Sequence, residues 1–186
     1  MRNLKKNLEQ EVCKDNGREV FFFDESRFGT HSRAGHGWFK TGSRAAIQRK
    51  LGFKNFYLYT AASPKTGDNF SLMIPNIDTL CMNVYLQEFS VWLGDRKVFL
   101  IIDGAGWHKA TNLLIPHNIK IIYLPPYSPE LNPVERLWQH IKDNVLKNYI
   151  YDNLDILEKS LFSFLNSITN ADIQSICNVN YMSHYL

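Results

Sequence analysis

Three carboxylates in this chain stand where their neighbours must hold them still. Asp24 closes the apolar run Val20-Phe21-Phe22-Phe23, and Asp103 closes Val98-Phe99-Leu100-Ile101-Ile102. Glu135 follows Asn132-Pro133-Val134 at the head of an amphipathic stretch. Short, continuous apolar runs read as strands covered on both faces. In layered α/β sheets, ligands gather outside the carboxyl ends of such strands. If the two strands are neighbours, Asp24 and Asp103 converge, and two close anions need a cation between them. The oxygen chemistry of Asp and Glu suits Mg²⁺ or Mn²⁺. Either acid alone would read as a turn former or a helix cap; the pair, after the two most apolar strands, points to a metal.

Glu135 has two readings that do not compete. Asn132, Pro133, Val134 and Glu135 spell N-cap, N1, N2 and N3 of a helix, and Glu at N3 completes a capping box. The same position lies in the first helical turn, where the dipole favours a carboxylate by roughly 0.3–1 kcal/mol. It is therefore also an acceptor for a cation, on a helix fixed by Pro125, Pro126, Pro129 and Pro133. Glu25 follows Asp24 on an extended strand and should point away from it. Glu130 reads as a solvated acid in the Pro-rich turn. His108, just past Asp103, is a candidate contact to a group bound at the acids or to a nearby carboxylate. Trp107 could stack on bases, and Trp138 reads as core.

The elements that must position these groups follow from periodicity and punctuation. A short polar helix is expected over Leu4 to Lys14. Strand-like pieces follow at Val20–Asp24, Trp38-Phe39, Ala45–Lys50, Asn55–Ala62 and Asn69–Ile74. A helix capped by Asp78 or Thr79 runs to about Leu93, with Leu80, Val84, Leu86, Phe89 and Leu93 on its apolar face. Strands at Val98–Ile102 and Ile119–Leu124 lead through the Pro-rich loop to a helix from about Pro133. That helix has Val134, Leu137, Trp138, Ile141 and Val145 on one face. A last helix spans roughly Asn153 to Ile168. Strands alternating with helical crossovers give an α/β mixed sheet flanked by helices, with parallel central strands. We divide the chain into a linker or N-terminal helix (residues 1–17), a catalytic domain (18–150) and a helical extension of that domain (151–186).

The 186 residues are enough for one domain with a real core, and a 45% hydrophobic, 21% charged balance excludes a disordered or fibrous chain. Cys13, Cys81 and Cys177 are far apart and form no CxxC pair, so reduced structural thiols in a cytoplasmic protein are expected. No signal peptide or membrane span is visible. The net charge is only +3, but its distribution is uneven. From Ser26 to Gly67 there is no acid, while Arg27, Arg33, Lys40, Arg44, Arg49, Lys50, Lys54 and Lys65 occur. A polyanion-facing surface is the expectation, with the first seven of these as DNA-contacting candidates.

At these residues the chain resembles a known family. The first motif is Asp24-Glu25-Ser26 on a strand, and the second is Asp103-Gly-Ala-Gly-Trp-His108. The third is Pro125-Pro-Tyr-Ser-Pro-Glu-Leu-Asn-Pro-Val-Glu135-Arg-Leu-Trp138. Together they resemble the DDE transposases of the Tc/mariner superfamily, in its bacterial insertion-sequence branch. The third motif is the specific one, and the 31 residues between Asp103 and Glu135 fit the superfamily's spacing. The match covers roughly residues 18 to 150.

The resemblance implies a ribonuclease H-like fold, with Asp24, Asp103 and Glu135 as catalytic residues and as ligands of two Mg²⁺ ions, for which Mn²⁺ substitutes. Asp24 would bridge the ions, with Asp103 on one and Glu135 on the other. It implies cut-and-paste movement of an element bounded by terminal inverted repeats: cleavage at its ends, then transfer into target DNA at a TA step. It further implies a homodimer on DNA, associated with the nucleoid. Relatives carry Asn where this chain has Gly104, and they begin with helix-turn-helix modules. A catalytic fragment, or the downstream frame of a split element with a separate helix-turn-helix polypeptide, is expected. The rival readings are a non-catalytic DNA-binding remnant of a decayed element, another ribonuclease H-like nuclease, and a phosphatase-like metal enzyme.

Overall fold

The computed structural model describes residues 17–31, 41, 54–126 and 128–179. The helix expected over Leu4–Lys14, the pieces at Trp38-Phe39 and Ala45–Lys50, and Arg33, Lys40, Arg44, Arg49 and Lys50 lie outside them.

Five strands form one sheet: β1 (Glu19–Gly29), β2 (Asn55–Ala62), β3 (Asn69–Ile74), β4 (Val98–Ile102) and β5 (Ile119–Tyr123). Their spatial order is β3-β2-β1-β4-β5. β1 pairs antiparallel with β2, and β2 with β3, whereas β1, β4 and β5 run parallel. The expected parallel pairing of the two acid-bearing strands, flanked by the Ile119 strand, is thus present. This is the mixed-sheet, ribonuclease H-like layout.

Alternation along the strands divides the core into two layers. Phe21 and Phe23 of β1, with Leu100 and Ile102 of β4, pack against helix α1 (Thr79–Leu93) through Met82, Tyr85, Leu86 and Phe89. Val20, Phe22, Phe99 and Ile101 face the opposite layer. There they meet α2 (Val134–Val145), α3 (Leu154–Ser167) and α4 (Asn170–Ile176) through Leu137, Trp138, Ile141, Leu157, Leu161 and Ile173. All five β4 residues are buried, as a strand covered on both faces requires.

Two expectations need correction. β1 does not stop at Asp24. Its parallel pairing with β4 ends at Phe22↔Ile101, but β2 keeps supplying antiparallel partners from Phe22↔Ala62 to Gly29↔Asn55. The backbone therefore stays extended through the acid. In α1, Leu80 and Val84 face solvent at 73% and 49% exposure. The buried stripe is Met82, Tyr85, Leu86, Phe89 and Leu93, the i, i+3, i+4, i+7, i+11 series of one helical face. Asp78 caps this helix, its Oδ1 accepting from the Cys81 N–H at 2.8 Å. The seven-residue α4 was not anticipated; Thr169 and Asp172 start it with a reciprocal capping box. Cys81 and Cys177 are free thiols, and Cys13 lies outside the described residues.

Candidate active site

The sheet brings Asp24 and Asp103 to one place. Two residues beyond the last parallel pair, Phe22↔Ile101, each strand's chain reaches its acid, and both acids share the face of Phe22 and Ile101. Helix α2 lies across that face, with Glu135 in its first turn. A cleft of about 380 Å³ is lined by all three acids together with Gly104, Lys109 and Asn132.

Asn132 fixes the start of the helix. It is buried, its Nδ2 donates to the Phe23 carbonyl at 2.8 Å, and its Oδ1 accepts from the Val134 N–H at 3.2 Å. The α2 N-terminus is thereby tied to β1 one residue before Asp24. The expected capping box does not form. The Asn132 N–H, which Glu135 would need, is donated to the Pro129 carbonyl at 2.8 Å, closing the 3₁₀ turn Pro129–Leu131. Glu135 is left exposed on the cleft. Glu130 is exposed on that turn, as expected.

The two aspartates are held in opposite electrostatic states. Trp138 Nε1 donates to Asp24 Oδ2 at 2.8 Å, so this core indole also orients the acid. Burial, then the charges of Glu135 and Glu25, push the Asp24 carboxyl up to about 7 despite that hydrogen bond. Asp103 has a side chain 55% exposed. It accepts from His108 Nδ1 at 2.7 Å and from the Ala105 N–H at 3.0 Å. The His108 hydrogen bond holds its carboxyl below the usual range.

His108 is the residue whose importance sequence reasoning understated. It is 1% exposed, and its Nε2 lies 2.8 Å from Glu25 Oε1 while Nδ1 meets Asp103. Burial alone would lower its pKa, but the hydrogen bonds and charges of Asp103 and Glu25 outweigh it and raise the imidazole to about 9. Both ring nitrogens are then donors, as only the cation allows. Glu25 does point away from Asp24, as alternation requires. It is not a spare acid, because it accepts from both His108 and Trp107 Nε1, the latter at 3.1 Å. The strand period gave its direction; its partners come from a loop more than eighty positions away.

The donor set suits a hard divalent cation. Three carboxylates line the cleft, and Glu135 raises the cost of ionising Asp24, which a cation between them would relieve. In their present positions, no three His, Cys, Asp or Glu side chains among the described residues are closed around a common ion. Of the basic candidates, Arg27 and Lys54 are described, and both are exposed. Arg27 is an odd position on β1 and so lies on the face opposite Asp24.

A mixed sheet with an acid-lined cleft beside its parallel strands is the ribonuclease H-like layout. More particularly, residues 19–158 match the DDE superfamily endonuclease family, and the chain belongs to that family. A Sinorhizobium fredii (strain NBRC 101917 / NGR234) protein, y4pE/y4sA, is 42% identical over 100 residues, covering 53% of this chain and 74% of its own length. The insertion element IS630 39 kDa protein of Shigella sonnei is 26% identical over 156 residues, 81% of this chain and 45% of its own. The pre-cleavage Mos1 transpososome superposes with a TM-score of 0.75 at 14% identity, over 94% of this chain and 56% of that one. The Mos1 strand transfer complex gives 0.76 at 15%, over 98% and 57%. At such identities the likeness is one of fold, and this chain spans little more than half of those. No helix among the described residues is long and apolar enough to cross a membrane.

Proposed function

We propose that this domain cuts DNA at the ends of a mobile element and joins the freed 3′-hydroxyl to target DNA, with Asp24, Asp103 and Glu135 as its catalytic, metal-holding residues. The observation that carries this reading is the convergence of the three acids on one cleft, from two parallel strands and one helix start. Bound by these carboxylates, a pair of Mg²⁺ or Mn²⁺ ions supplies activation of the attacking oxygen and charge relief at the leaving oxygen of an in-line displacement.

The chain's own residues set the geometry. Trp138 aims Asp24, His108 aims Asp103, and Asn132 pins the helix that presents Glu135. Asp103 is kept ionised by its imidazolium partner, ready to bind a cation without first losing a proton. Burial and the charges of Glu135 and Glu25 raise the Asp24 carboxyl to about 7, so a metal bound there near neutral pH would displace a proton. Solved relatives are named as paired-end and strand transfer complexes. Their likeness supports terminal inverted repeats and target DNA as substrates, and a homodimer on DNA as the working form.

The test uses duplexes carrying the repeats that flank this coding sequence, intact and pre-nicked, incubated in Mn²⁺ or in EDTA. Wild type should cut in Mn²⁺ only. Asp103→Asn and Glu135→Gln should bind the duplex but leave it whole. Cutting by either variant at the normal rate would overturn the assignment of that acid. Duplex binding by wild type with no cutting under any metal would favour a remnant that only binds DNA.

A further inference from the structure

Gly104 follows Asp103 at the lip of the cleft, where the resemblance led us to expect Asn. Its backbone does not demand glycine: the positive-φ glycines among the described residues are Gly67 and Gly94. A Cβ at Gly104 would stand 2.7 Å from Lys109 Nζ and 3.3 Å from its Cε. With only hydrogen on the Gly104 Cα, the lysine's flexible end lies against it, and a methyl group there would displace that end.

Lys109 is placed from several sides. Its N–H donates to the Gly106 carbonyl at 3.2 Å. Its neighbour His108 is locked between Asp103 and Glu25. Its ammonium lies 5.2 Å from the centre of the Tyr123 ring, whose hydroxyl donates to the His108 carbonyl at 2.7 Å. The ammonium therefore shares the cleft with the three acids while the residue stays exposed to solvent. An ammonium is a compact charge with three donors. In the DNA-cleaving reading, the substrate group that reaches this exposed charge at the cleft is a backbone phosphate.

We propose that Lys109 contacts the substrate, holding a non-bridging oxygen of a DNA phosphate at the cleft, and that Gly104 is the residue that admits it. The inference rests on the DNA-cleaving reading above, and its test separates the two. Binding of a 30-base-pair duplex is measured in EDTA from 50 to 200 mM salt, for wild type, Lys109→Met, Lys109→Arg and Gly104→Ala. Lys97→Met is the control, since Lys97 is exposed at the amino end of β4, away from the cleft. Each phosphate contact adds about 0.9 to the slope of log K against log salt, so Lys109→Met should flatten it by about that amount. Lys109→Arg should keep the slope and Lys97→Met should leave it unmoved. Gly104→Ala should behave like Lys109→Met, and the double variant should be no worse than either single one. In Mn²⁺, kcat/KM for Lys109→Met should fall on the order of 10²-fold, the scale of losing one donor to a reacting anion.

A lysine that only offsets the carboxylates would leave the salt slope of Lys109→Met equal to wild type, and that result overturns the proposal. So does an equal loss in Lys97→Met. Absence of cutting by wild type would sink the cleavage reading alone, because the slopes in EDTA still decide the role of Lys109.

Discussion

Asp24 and Asp103 arrive at the cleft by the same device, parallel strands in register, yet they are kept in opposite ways. Asp24 is enclosed between β1 and α2, bound by the Trp138 indole and pressed by the charges of Glu135 and Glu25. Asp103 is half open to solvent and bonded to a buried imidazolium. One side of the site resists its own charge and the other welcomes it. On the proposed reading, a cation in the cleft would find Asp103 already ionised and would relieve the repulsion that raises Asp24.

The largest effect expected from breaking this contrast is at Asp24. Asp24→Asn should abolish Mn²⁺-dependent cutting, because an amide is a poor ligand for a hard cation. Without metal it should nonetheless melt above wild type at pH 8. The folded-state pKa is raised to about 7 from 3.8. The group's contribution to stability is therefore full below about pH 4 and lost as pH rises through 7. The advantage of Asn should shrink towards pH 4, and Mn²⁺ should raise the wild-type Tm at pH 8 but not that of the variant. A variant no more stable than wild type at pH 8 would remove the electrostatic account of Asp24.

Next comes the other side. His108→Phe keeps bulk but leaves Glu25, whose side chain is 4% exposed, without its cationic partner. Breaking a buried pair from one side costs about 3–5 kcal/mol, and Glu25→Leu in the same chain should recover much of it. The His108 pKa is raised to about 9 from 6.5. Its stabilisation is thus full below about pH 6.5 and lost as pH rises through 9, so denaturant unfolding should show the His108→Phe deficit narrowing over that window. A deficit that widens with pH would mean that the ring is neutral.

Trp138→Phe is a finer cut, since it retains most of the buried ring but removes the donor to Asp24. Cutting should fall about 10- to 100-fold, as for other groups that orient metal ligands, with a stability loss near 1–3 kcal/mol for the acceptor left unpaired. The smallest effect concerns Glu135. Because no capping box forms, Glu135→Ala should change stability by no more than about 0.5 kcal/mol, as for ordinary surface positions. A loss of 1–2 kcal/mol in thermal melts would restore the capping role.

The helices show why some of this was legible and some was not. In α2, the apolar residues Val134, Leu137, Trp138, Ile141 and Val145 alternate with charged ones, and all five are buried as read from the sequence. In α1, apolar residues occur nearly all round, so several phases fit equally well and the reading placed Leu80 and Val84 inward. Only contact with Phe21, Phe23 and Leu100 selects the Met82–Phe89 stripe. Asn132 was read as a local cap. Its donated hydrogen bond to Phe23, 109 positions away, lies beyond any local rule.

The sequence by itself determined the strands around Asp24 and Asp103 and the helix carrying Glu135. Runs of buried apolar residues, helical periodicity and proline are local, and they act wherever the chain goes. The tertiary structure decided how each acid is held: the indole over Asp24, the Glu25–His108–Asp103 chain across the sheet edge, and the lysine end lying against Gly104. These are pairings between residues that no periodicity links. Their energies come from burial and charge at short range, which exist only once the sheet and helices have closed together.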